Sequence, residues 1–185
     1  ILGRESLDEL TEYAIKYFDS VPNFNIPQPK YDTQYLEKCG HFLELCPTRQ
    51  KRELTITWWL PSDLDYILTA PIDFISHCVG DEGPGSLLSL LKAYRLATSV
   101  GSGCSKQLSF MSQFQINISL TPLGLEHIPN ILRLVYAYMN TIIHSSDEDL
   151  LRMATEEKNI SATKFRFKEK SSVSSAVTSY ASQMF

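Results

Sequence analysis

From Leu108 to Leu120 the chain alternates: Leu108, Phe110, Phe114, Ile116, Ile118 and Leu120 fall on even positions, Ser109, Gln113, Gln115, Asn117 and Ser119 on odd ones. Successive side chains of a strand point to opposite faces, so this period of two predicts a strand with one core face and one face toward water. Such a strand needs a covering layer on its apolar side and neighbours along its edges.

The covering layer is legible as helices. Ser6 with Glu9 three residues on has the form of a capping box, and Leu7, Leu10, Ala14, Tyr17, Phe18 and Val21 follow at helical spacing, which predicts a helix ending near Pro22. Pro71 suits a first helical position, so residues 71–79 read as a helix stopped at Gly80, and Pro84 to Arg95 resumes the pattern. Thr121 and Pro122 read as the cap and first turn of a long helix through Ile143, and Asp147 starts another that carries LLRMATEEKNISATKFRFKEK. The Ser-rich SSVSSAVTSYASQ reads as a helix or a frayed tail. For the neighbours, CGHFLELC and ELTITWWL, joined by TRQKR, predict a strand pair. Helices interleaved with antiparallel-type strands give the fold class α+β, an antiparallel sheet packed against several helices.

Composition sets what such a fold is for. With 185 residues, 43% of them hydrophobic, the chain is long enough to bury a core. Net charge is -4, and no basic stripe exists to release counterions, so nucleic acid is excluded as a partner. Polar residues break every apolar run well short of the roughly 20 residues of a membrane span. Cys39, Cys46, Cys78 and Cys104 show no Cys-x-x-Cys spacing and read as buried thiols of a reducing, cytoplasmic compartment. The opening ILGRESLDEL has neither an initiator Met nor a signal-like block, as expected of a piece of something longer.

The stretch His77 to Leu91, HCVGDEGPGSLLSLL, invites a reading as a phosphate or metal loop. A phosphate loop needs Gly-Lys-Ser/Thr; GDEGPGS has no Lys, and Asp81 and Glu82 would repel the anion. HFLEL at His41 to Leu45 is a near miss for His-x-x-Glu-His, with Leu45 where the second His must stand. His77 and Asp81 lack a third ligand nearby, and a histidine at that helix end is expected to cap carbonyls. No Gly-x-Ser-x-Gly elbow is present. The residues thus assign no catalytic group and no metal ligand, and a tight interhelical turn with Leu87, Leu88 and Leu91 buried explains the stretch without function.

GDEGPGSLLSLLK, with LGRESLDELTEYAIKYFDSVPN at the start and KFRFKEK near the end, resembles the insulinase branch of the pitrilysin family of zinc metallopeptidases, in consistent order over nearly the whole chain. The resemblance implies a metallopeptidase-domain-like two-layer sandwich. It implies that residues 1–23 are the last strand-helix piece of a catalytic domain, 24–35 a Pro-rich linker, and 36–185 most of a non-catalytic second domain. Zinc, by resemblance, belongs to the parent protein, whose His-x-x-Glu-His motif is absent here, so the fragment alone is expected to be inactive. In that branch the second domain carries an exosite that anchors a substrate's N-terminus. His77, Gly80, Glu82 and Gly83 match it residue by residue; Val100 and Gly101, in RLATSVGSG, match more loosely, and Asp73 departs where the branch has His. The implied chemistry is coherent: Gly80 and Gly83 would let backbone approach backbone, Glu82 would meet an N-terminal ammonium, and residues 97–101 would offer a strand edge. The expected partners are peptide substrates, the remaining domains of the parent and, through an interdomain face, a second copy. The alternative is a structural or interaction subunit of the same superfamily that lacks the zinc motif.

Overall fold

The structure, a computed structural model, describes residues 3–27, 40–48, 51–62, 66, 68–108 and 110–182, without the side chains of 106 and 107. Cys39 and most of the Pro-rich stretch lie outside the described residues. The chain divides into two compact units, residues 1–29 with 163–185, and residues 30–162.

The first unit contains α1 (Leu7–Phe18) and α7 (Val173–Ser182). The capping box of α1 forms: the Ser6 hydroxyl accepts the Glu9 amide at 3.3 Å, and the Glu9 carboxylate accepts the Ser6 amide at 2.8 Å. Two orphan donors of the first turn are thereby satisfied. The Ser-rich tail is helical in α7.

The second unit holds β1 (Glu53–Pro61), α2 (Pro71–Val79), α3 (Leu87–Ala93), β2 (Ala97–Gln107), β3 (Met111–Leu120), α4 (Pro122–Glu126), α5 (Ile128–Ile143) and the greater part of α6 (Asp147–Arg166). The strands form an antiparallel sheet of order β1-β3-β2. The alternating strand is therefore the central one, with Ile116 opposite Ile56 and Ile118 opposite Val100. Its even side chains Phe114, Ile116, Ile118 and Leu120 join Val79, Leu87, Leu88, Leu91, Ile131 and Val135 in one core. This is the expected α+β arrangement of a sheet with helices packed on it. On the other face Thr55 donates to the Asn117 side chain at 2.8 Å and Gln115 to Thr57 at 3.2 Å, so the odd positions form polar cross-strand pairs. Trp58 packs against Phe114 and edge-on against Tyr136 of α5, with ring centroids 5.7 and 6.2 Å apart.

Four sequence expectations change. Residues 40–47 form no strand, and Phe42, Leu43 and Leu45 are exposed; alternation defines a face, but a strand exists only where a neighbour closes its hydrogen bonds, and β1 pairs with β3 instead. Leu108 lies before β3, in a turn where its amide donates to the Met111 carbonyl at 2.8 Å. The helix expected from Thr121 to Ile143 is two helices, broken at His127, because Pro129 has no amide to donate and its ring obstructs the carbonyl four residues back. Of the described cysteines, Cys78 is buried while Cys46 and Cys104 are exposed.

One glycine here has a steric reason that the sequence did not signal. A Cβ at Gly124 would collide with the Leu96 carbonyl oxygen, which accepts the Thr121 amide at 3.0 Å where α4 crosses the start of β2.

Candidate functional site

The end of α2 is built by side chains from elsewhere. The amide of Gly80 donates to the Ser76 carbonyl at 2.8 Å, and the Ser102 hydroxyl of β2 donates to the same oxygen at 2.9 Å. The Tyr138 hydroxyl of α5 donates to the Cys78 carbonyl at 3.1 Å. The Ser76 carbonyl thus gains a second donor from a strand, and the Cys78 carbonyl, left without a partner by the helix end, finds one on another helix. A Cβ at Gly80 would stand 2.9 Å from the Ser76 oxygen and 3.3 Å from the Ser102 hydroxyl, so the α2 end lies close against β2, one residue from Gly101.

Beyond Gly80 the chain turns back on itself. Asp81 accepts the Gly83 amide at 3.1 Å, and the Ser86 amide donates to the Gly83 carbonyl at 3.1 Å. Gly85 holds φ +88°, a left-handed conformation that favours glycine. At Gly83 a Cβ would meet only the Asp81 carboxylate, at an ordinary 3.4 Å, so position 83 needs no close backbone approach. Buried Ser86 accepts the Ser89 amide at 3.1 Å and starts α3, whose Leu87, Leu88 and Leu91 are buried as expected. The helix ends in a left-handed residue, Arg95, with the Leu96 amide on the Leu91 carbonyl and the Arg95 amide on that of Lys92, both at 2.9 Å. This Schellman arrangement delivers the chain into β2.

The residues expected to act together are placed as follows. Glu82 and Gly101 are exposed, and Glu82 makes no ion pair among the described residues. The Val100 side chain is in the core, so only its backbone is available to a ligand. His77 does not cap helix carbonyls as expected: its Nδ1 lies 3.1 Å from the Glu157 carboxylate of α6. His77, Cys78 and Asp81 line a cleft of about 410 Å³ with Tyr138 and with Arg152 and Met153 of α6. Burial pushes the Cys78 thiol up, and burial with the nearby Asp81 charge does the same to Tyr138, so both keep their protons and act as hydrogen-bond donors, to Met153 and to the Cys78 carbonyl. Ser76, Ser102 and Tyr138 were invisible to sequence reasoning, because no period marks a hydroxyl that reaches across 26 or 60 residues.

No group of three or more His, Cys, Asp or Glu among the described residues could hold a metal ion, and the sequence has no His-x-x-Glu-His.

The family model described as the peptidase M16 inactive domain matches residues 1–156. This chain belongs to the M16 peptidase family. Its relatives place it in the insulinase-like branch of M16: it is 32% identical to human insulin-degrading enzyme over 92% of this chain, and 32% identical to human nardilysin over 91%. It spans 17% and 15% of those proteins. A crystal structure of pitrilysin superposes with a TM-score of 0.78 over 97% of this chain and 19% of its own, at 18% identity, which shows the fold. No helix among the described residues is long and apolar enough to cross a membrane.

Proposed function

We propose that this M16 segment is the non-catalytic part of an insulinase-like metalloendopeptidase, lining a substrate chamber and holding the N-terminus of a peptide while hydrolysis proceeds at a zinc centre elsewhere in the parent. On this reading residues 1–23 close a preceding catalytic domain, 24–35 link, and 36–185 form most of the second domain. The anchor comprises His77, Gly80, Glu82 and Gly83 with the backbone of Val100 and Gly101.

The observation that carries the reading is the join between the α2 end and β2. Ser102 donates to Ser76, and Gly80 permits that approach, so the turn bearing exposed Glu82 leaves α2 beside a strand. No described strand pairs with the other edge of β2. A peptide added there would gain main-chain hydrogen bonds, and its ammonium would meet a carboxylate. An exposed ion pair contributes only about 0.2–1 kcal/mol, so backbone pairing supplies most of the grip and sequence tolerance follows.

Replacing Glu82 with Ala is therefore expected to weaken binding of free-amine peptides by up to about fivefold and to leave their acetylated counterparts unchanged. Calorimetric titration of both peptides measures this, and equal losses would remove the ammonium role. The inactive-domain match also fits a parent that is a scaffold without zinc. The sequence preceding Ile1 in the parent decides: His-x-x-Glu-His supports the peptidase, its absence the scaffold.

A further inference from the structure

A second cleft, of about 420 Å³, lies among the end of α3, α4 and the first turns of α5. Leu96, Leu123, Leu134 and Tyr94 line it with apolar surface, and His127, Asn130 and Arg133 add its polar groups. No carboxylate lines it, in a chain whose net charge is -4. Arg133 is exposed and makes no ion pair or hydrogen bond among the described residues.

We infer that this cleft is a binding site for an apolar carboxylate, its hydrocarbon part on the leucines and its charge at Arg133. The backbone of Leu96 in the apolar wall is already satisfied: its amide donates to Leu91 and its carbonyl accepts from Thr121. Among the lining side chains, Asn130, His127 and Arg133 can hydrogen-bond a ligand, a donor-rich set suited to an anion, with a guanidinium able to grip a carboxylate by two parallel bonds. His127 begins α5 without capping it by its side chain, so the positive end of that helix dipole adds to the same sign of potential. An apolar wall with a few convergent polar groups and this volume is the usual form of a small-molecule site. The inference is independent of the peptide-anchoring reading, which concerns a cationic group at Glu82 and none of the residues that line this cleft.

The test is titration of the 185-residue chain with sodium octanoate and, in parallel, with octanol, followed by the methyl resonances of Leu96, Leu123 and Leu134. Octanoate is expected to shift those methyls and to bind more tightly than octanol. Arg133→Gln should weaken octanoate about fivefold and leave octanol unchanged. Leu123→Asn should weaken both, and unchanged thermal midpoints would verify that the variants fold. A peptide ending in leucine, as free acid and as amide, identifies the source of the carboxylate. Preference for the acid form points to a peptide C-terminus, and response to octanoate alone points to a free aliphatic acid; either supports the site. Absence of shifts with octanoate, equal binding of octanol, or full octanoate affinity in Arg133→Gln overturns it.

Discussion

At the scale of single residues, Arg95 shows local preference overridden by topology. It holds φ 57° because the chain must leave α3 and enter β2 across only three residues, a place where glycine is the usual occupant. A side chain there crowds its own backbone by about 1–2 kcal/mol, part of which glycine would return as unfolded-state entropy. Arg95→Gly is accordingly expected to raise stability by about 0.5–1 kcal/mol, measured by urea unfolding with an unchanged slope. Gly124 is the complementary case, since its lack of a side chain is demanded by the Leu96 carbonyl rather than by its own dihedral angles. Neither position could be picked out from sequence: Arg95 looks like an ordinary surface cation, and Gly124 like a helix-weakening residue in an apolar run.

At the scale of elements, what was legible was whatever a short window contains. The Ser6 and Glu9 box, the Pro71 start, the Gly80 stop and the period of β3 are all local, and each appears where expected. The false strand at 40–47 and the break at His127 depended on partners and on a single ring, which a window average hides. The box has a pH signature. Hydrogen bonds from the Ser6 amide and then its hydroxyl hold the Glu9 carboxyl below its usual range, so the unfolded chain takes up that proton first. Its contribution is complete above the ordinary glutamate range and is lost as pH falls through the lowered folded value, with α1 fraying from its N-terminus; amide shifts of Ser6 and Glu9 report it. The α2 end should answer to chemistry sixty residues away. Tyr138→Phe removes the hydroxyl from the Cys78 carbonyl and is expected to cost about 1 kcal/mol, read as a lower urea midpoint together with faster exchange of the last α2 amides.

At the scale of the whole chain, the second unit has a central strand bonded on both edges and covered by α2, α3 and α5, whereas α1 and α7 have no buried residue. Hydrogen exchange should therefore be slowest at the amides of Phe114 to Ile118 and fastest in α1 and α7; comparable protection throughout would contradict that ranking. The fold class and the covering helices followed from periodicity, and the family from motif order. The candidate anchor was legible only as a set of positions, since Gly80 is explained by its approach to Ser102, and the neutral Cys78 and Tyr138 by burial. His77 brings a further consequence. Because Glu157 already occupies its imidazole, an incoming peptide that uses this histidine must displace a partner tethered on α6. On the proposed reading, anchoring becomes an exchange between two ligands of one side chain, and the affinity falls by the fraction of molecules in which the tether is closed. On that reading, any change that slackens α6 would tighten the proposed anchor without touching a residue of it.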